Sequence, residues 1–260
     1  MKAHSATCLA ALTTLAAFAS PAIAQTPATP PEPFTFTGNV GIYSQYIFRG
    51  LTQTDRKPAL QGGFDVAHTS GFYAGTWASN ISWLHDAGVV DHGASLEWDF
   101  YGGYKYAISE DWGLDAGVLY YWYPGTYHGG VTKPDTTELY VAGAWKWVSL
   151  KYSHSVDDTF GIPNSENSWY LDLSANYPIT DTLTLNAHVG RQEFKGSTNG
   201  FDNGATLDYT DWKLGVTWAA GNGWNIGAYY TDTNAKDAGY TLAGRNIGKA
   251  TGTVFVQKTF

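Results

Sequence analysis

Ser95-Leu96-Glu97-Trp98-Asp99-Phe100-Tyr101-Gly102-Gly103-Tyr104-Lys105-Tyr106-Ala107-Ile108 is the stretch that decides the architecture. Leu96, Trp98, Phe100, Tyr104, Tyr106 and Ile108 share one parity; Ser95, Glu97, Asp99, Tyr101, Gly103 and Lys105 share the other. Successive side chains of a strand point to opposite faces, so this segment reads as a strand with one aromatic face and one charged face. In a soluble sandwich the apolar face would be core; in a membrane barrel it would meet lipid.

The same pattern recurs on both sides of this segment. Strands are expected at 35–49, 59–68, 72–83, 93–108, 112–123, 137–147, 148–155, 169–177, 183–192, 211–218, 224–231 and 250–260. In the first, Val40, Ile42, Tyr46 and Phe48 oppose Asn39, Gln45 and Arg49. In the third, Tyr73, Trp77, Ile81 and Trp83 share the apolar side. Further along, Leu139, Val141, Trp145 and Trp147 oppose Glu138 and Lys146, and Trp212, Leu214, Val216 and Trp218 oppose Asp211 and Lys213. Twelve is an even number, as bacterial outer-membrane barrels require.

The connections discriminate further. Short turns fall at 69–71, 109–111, near 147–148, at 180–182 and at 221–223, whereas 50–58, 84–92, 124–136, 156–168, 193–208 and 232–249 are long. Short and long alternate around the ring. A soluble sandwich has no reason to do this, but a membrane barrel has short periplasmic turns and long outer loops. Rings also fall where interfacial girdles belong: Tyr46, Phe48, Trp83, Tyr120, Trp122 and Trp169 at the outer ends, and Tyr106, Trp112, Trp147, Tyr177, Trp218 and Trp224 at the inner ends. The expected fold is an all-β, transmembrane, antiparallel up-and-down β-barrel over residues 35–260.

Composition agrees. The 260 residues carry 15 Lys+Arg against 23 Asp+Glu, a net charge of -8, which lacks the basic footprint of a nucleic-acid binder. Charged residues make up 15%, below the ~25% of soluble domains. Met1 to Ala24 has the three parts of a secretory signal: Lys2, an apolar run over 8–19, and the small-x-small site Ala22-Ile23-Ala24. Cleavage before Gln25 leaves a short Pro/Thr-rich leader over 25–34 and removes Cys8, the only cysteine, so no disulfide framework is expected. Past that point no run of 18 apolar residues occurs, so any spanning element must be a strand, and spanning strands must close. Location in the outer membrane follows, with lipid and lipopolysaccharide as surroundings.

From Tyr43 the chain reads Tyr43-Ser44-Gln45-Tyr46-Ile47-Phe48-Arg49-Gly50-Leu51-Thr52-Gln53-Thr54-Asp55-Arg56-Lys57-Pro58-Ala59-Leu60-Gln61-Gly62, and then Gly71-Phe72-Tyr73-Ala74-Gly75-Thr76-Trp77-Ala78-Ser79-Asn80. This resembles the TorF family of porin-like proteins, also called the Gcw_chp family, most strongly over 38–83. The resemblance implies an outer-membrane barrel and supplies no catalytic residues. The final Phe260, at the parity of Val254 and Val256, resembles the signal read by the barrel-insertion machinery; Lys258 departs from it by placing a cation on the apolar parity.

If the rings face lipid, the opposite parity faces the lumen. The candidate pore-lining residues are Arg49, Asp65, Glu97, Asp99, Lys105, Asp115, Glu138, Lys146, Lys151, Asp172, Asp211 and Lys213. Seven acids against five bases point to a mild preference for cations or neutral solutes. Twelve strands lie between the filled eight-stranded barrel and the open porins of sixteen or more, so strand number alone leaves the bore open or plugged. The favoured function is passive diffusion of small hydrophilic solutes or ions; the alternative is a plugged barrel acting as a rim enzyme or a surface adhesion protein. The residues point to neither a cofactor nor a metal. His85 with Asp86, and His92 with Asp91, share a loop without a ligand framework, and Ser153 and His154 are strand neighbours pointing to opposite faces.

Overall fold

The computed structural model describes residues 32–260, so the signal and residues 25–31 of the leader lie outside the described residues. Twelve antiparallel strands form one closed barrel. They are β1 (Phe34–Tyr43), β2 (Ala59–His68), β3 (Phe72–Asn80), β4 (Leu96–Ala107), β5 (Trp112–Trp122), β6 (Thr136–Trp145), β7 (Val148–Ser155), β8 (Trp169–Pro178), β9 (Leu183–Glu193), β10 (Tyr209–Gly221), β11 (Trp224–Thr233) and β12 (Thr251–Thr259). Each pairs with its neighbours in sequence. β1 closes on β12, with Asn39 opposite Thr259 and Tyr43 opposite Phe255. Closure leaves no unpaired edge, which is the condition for strands to cross hydrocarbon.

Side chains sort by parity as the pleat demands. Ile42, Leu60, Leu114, Val141, Leu173, Leu214 and Val254 stand exposed on the outer wall. Soluble monomers rarely expose apolar patches beyond a few hundred Å², and here the apolar surface runs around the whole cylinder. Trp112, Trp147, Tyr177, Trp218 and Trp224 ring the short-turn end of that wall. This is the architecture of a transmembrane barrel. Its hairpins carry suitable turn chemistry: Asn222 and Gly223 both take positive φ (49° and 76°), as the tight β10–β11 connection requires.

Two readings of the aromatics need correction. β3 has the opposite parity to the one expected, because Phe72 leaves its turn on the outer face and packs edge-on against Tyr104 of β4. That contact fixes the register, and a one-residue change of register turns every side chain over. Tyr73 and Trp77 therefore point inward. The first strand also ends at Tyr43 rather than at 49, so Tyr46 and Phe48 leave the wall and turn into the mouth. Trp83 likewise opens a short helix, α1 (Trp83–Asp86), and meets Tyr123 edge-on at 5.6 Å.

Inward rings need room, and glycines on the inner parity give it. A Cβ on Gly190 would sit 1.9 Å from the Tyr170 hydroxyl, and one on Gly117 would sit 2.5 Å from that of Tyr140. The interior is consequently packed with tyrosine.

Candidate functional site in the barrel interior

The segment between β1 and β2 does not lie outside as a loop. Ser44 N–H donates to the Val254 carbonyl, and Gln45 Nε2 donates to Thr251 Oγ1 and to the Gly252 carbonyl, turning the chain off the wall. Thr54 Oγ1 then accepts from Tyr46 N–H, and Gln53 N–H donates to the Tyr46 carbonyl. Between these clamps, Ile47–Phe48 pairs with Leu51–Thr52 as a minimal hairpin whose tip is Arg49-Gly50. Both tip residues have positive φ (46° and 78°). An arginine in the left-handed region is uncommon and stores strain that surrounding contacts must hold.

Those contacts lie across the barrel. Arg49 Nη2 donates to both oxygens of Glu138 on β6 (2.7 and 2.9 Å), and Nη1 donates to Gln192 Oε1 on β9 (2.8 Å). The guanidinium carbon lies 4.2 Å from the Tyr170 ring centre on β8 and 4.8 Å from that of Phe48. Burial works against this charge, but Glu138 more than offsets it and holds the guanidinium above its ordinary pKa. Gly50 seats the tip against β10 and β11, where a Cβ would lie 2.5 Å from both Asp211 Cβ and Thr233 Cγ2. The hairpin is thus a crossbar over the bore. Gly50→Ala is expected to lift the tip and to destabilise the barrel by about 1–3 kcal/mol, read as a lower urea midpoint in lipid vesicles; an unchanged midpoint would contradict this seating.

Most of the remaining sequence-derived candidates lie on the inner wall. Glu97 is 1% exposed and accepts from Tyr46 (2.5 Å) and Tyr123 (3.0 Å). Asp99, two residues on, is buried with one oxygen lacking a hydrogen-bond donor. Asp65 accepts from Tyr101, and Asp115 from Tyr73, which also bonds to Tyr140. Lys105, Lys151 and Lys213 lie over the rings of Tyr73, Tyr140 and Tyr229 at 4.6, 4.0 and 5.4 Å. Cations on ring faces gain most where water is scarce.

Lys146 is the exception. It occupies the β6–β7 turn with φ 53° and pairs with Asp111 at 3.6 Å, half exposed at the short-turn end. β6 stops at Trp145, so strand parity no longer governs its direction. Ser153 is buried inside, whereas His154 stacks on Tyr152 on the outer side. In the outer loops His85 bonds to the Gly93 carbonyl, and Asp91 pairs with His128 at 2.8 Å.

Sequence reasoning listed Asp172 and Asp211 but missed the histidine that joins them. His188 on β9 meets Asp172 through Nδ1 (2.8 Å) and Asp211 through Nε2 (2.7 Å). Tyr170 donates to Asp211, and Ser174 donates to Asp172. The signal existed: His188 shares its parity with Asn186 and Gln192, both buried. Tyr121, Tyr140 and Tyr170 could be found in the same way, since each shares a parity with an inward carboxylate of its own strand (Asp115, Glu138 and Asp172).

The hairpin separates two cavities. The inner one, about 120 Å³, is lined by Arg49, Asp99, Lys151, Asp172, His188, Asp211 and Lys213 among others. The outer one, about 240 Å³, is lined by loop residues and the barrel mouth, and Phe48 borders both.

A closed sheet with lipid-facing apolar residues outside and paired charges inside defines the class: a transmembrane β-barrel protein with a polar interior. The chain belongs to the family described as "Bacterial protein of unknown function (Gcw_chp)", whose profile matches residues 27–260. That description does not include the name TorF. No curated protein matches the chain. Among solved structures it is similar to a KdgM porin, at 10% identity and a TM-score of 0.54, covering 86% of this chain and 99% of the porin. The KdgM porin in complex with disordered oligogalacturonate gives 10% identity and a TM-score of 0.52, with 86% and 99% covered. A NanC porin gives 11% and 0.52, with 87% and 99% covered. At such identities the fold is what is shared.

Proposed function

We propose that this chain is an outer-membrane channel for passive diffusion of small hydrophilic solutes or ions, narrowed by the Arg49 hairpin. The observation that carries this reading is charge running along the inside of a closed, lipid-clad barrel and converging on one arginine-tipped crossbar. A barrel stabilised only by filling would do as well with apolar side chains, since buried ion pairs seldom add net stability. The solute path follows Asp65, Glu97, Asp99, Lys105, Asp115, Glu138, Lys151, Asp172, Asp211 and Lys213, with Arg49 at the waist. The small cavities on either side favour small solutes. Secretion through a cleaved signal over 1–24, and insertion directed by Phe260, complete the reading; Phe260 is exposed at the inner end and exchanges backbone hydrogen bonds with Gly38.

Seven interior acids face four fixed bases and His188, so a mild preference for cations is expected. Reconstituted protein should let vesicles swell in a small sugar and should give reversal potentials shifted toward the cation equilibrium in planar bilayers. Sealed vesicles holding correctly folded protein would overturn the channel reading, and a clear anion preference would overturn the selectivity.

A further inference from the structure

The outer cavity differs in chemistry from everything beneath it. Its lining contains no Asp, Glu, Lys, Arg or His, although it lies a single hairpin away from a cavity lined by Asp, Lys, Arg and His. All six outer connections contribute to it, together with the ends of β9 and β10. Chain segments from all around the mouth thus present apolar groups to one space, where a hydrophilic channel would be expected to present polar ones.

We propose that this vestibule is a binding site for a neutral aromatic molecule of one or two fused rings. Three observations carry the proposal. The first is size: an apolar cavity of about 150 Å³ takes up benzene, so 240 Å³ has room for a larger flat ring system. The second is the aromatic walls. Trp83 meets Tyr123 at 88°, Phe48 meets Phe160 at 79°, and Tyr209 meets Tyr240 at 76°, all with centroids 5.2–5.6 Å apart. Rings crossed in this way present both faces and edges, the two surfaces that aromatic guests favour over aliphatic ones. The third is the floor. The rings of Phe48 and Phe160 separate the vestibule from the Arg49 guanidinium, which lies 4.8 and 5.8 Å from their centres. A guest would stack above rings whose opposite environment is cationic, without meeting the charge itself. A neutral guest fits such a site; an anion would have to give up water with no cationic side chain on the lining to replace it.

This site concerns binding, not passage, and stands apart from the channel reading. Its test is therefore a binding measurement without flux. Saturation-transfer NMR with the full barrel in amphipol would use indole as probe, cyclohexanol as an aliphatic comparator and naphthalene-2-sulfonate as a charged one. Two filling variants, Ala87→Phe and Val131→Trp, change cavity-lining positions in the outer loops, away from the barrel wall. Retained heat-modifiable gel mobility confirms that they fold. Saturable indole binding to the wild type, roughly tenfold weaker in both folded variants and in competition stronger than either comparator, is the expected result. Equal indole binding by wild type and variants would overturn the site. Cyclohexanol outcompeting indole would overturn the aromatic assignment, and the sulfonate doing so would overturn the neutral one.

Discussion

Arg49→Ala opens the bore: single-channel conductance in planar bilayers is expected to rise by roughly a factor of two or more, because the narrowest section sets the current. The same change removes the cation that donates to Glu138, a carboxylate 1% exposed that otherwise keeps Tyr121 at 3.2 Å. Stranding one member of a buried pair costs about 3–5 kcal/mol, so the barrel should also unfold at markedly lower urea. Arg49→Lys separates the two effects. It keeps the charge but loses the planar fork that reaches Glu138 and Gln192 together, so conductance should fall between wild type and alanine. Unchanged conductance in the folded alanine variant would remove the hairpin from the path.

The second large effect is expected at His188. An imidazole can satisfy a carboxylate at each nitrogen only by donating from both, and here Asp172 and Asp211 occupy the two positions. His188→Leu leaves two buried carboxylates facing an apolar side chain and should cost about 3–5 kcal/mol of stability in vesicles. Adding Asp172→Asn and Asp211→Asn to that background should recover a large part of the loss, since the uncompensated charge is then gone. If the triple variant is no more stable than His188→Leu alone, the cluster is held by packing rather than by charge.

The barrel itself was legible in the sequence wherever the pleat kept strict time. The strands at 59–68 and 148–155 fall where alternation places them, and the order of short turns and long loops is as read. Legibility ended where strand parity ceased to apply. Tyr46 and Phe48 continue the parity of Val40 and Ile42 in sequence, but the chain bends at Ser44 through hydrogen bonds to β12, more than 200 residues away. No local pattern encodes a contact of that range. Trp77 was misplaced for a different reason: β3 is rich in small residues on its outer face, so its ring parity suggested lipid when the rings in fact fill the bore. Lys146 was assigned inward by extending β6 two residues too far. The interior charges on regular strands were readable from parity alone. Their pairing across the lumen was not, because which strands face each other depends on closure.

The hairpin has a mechanical consequence as well. It springs from the β1–β2 side and is fastened to β6, β8 and β9, so it works as a tie-rod spanning a hoop. A thin-walled cylinder under lateral pressure fails first by flattening, and a strut along its diameter resists that deformation. On the channel reading proposed above, the member that narrows the passage is also the one that keeps its cross-section round, and a solute that displaces it takes over as the brace.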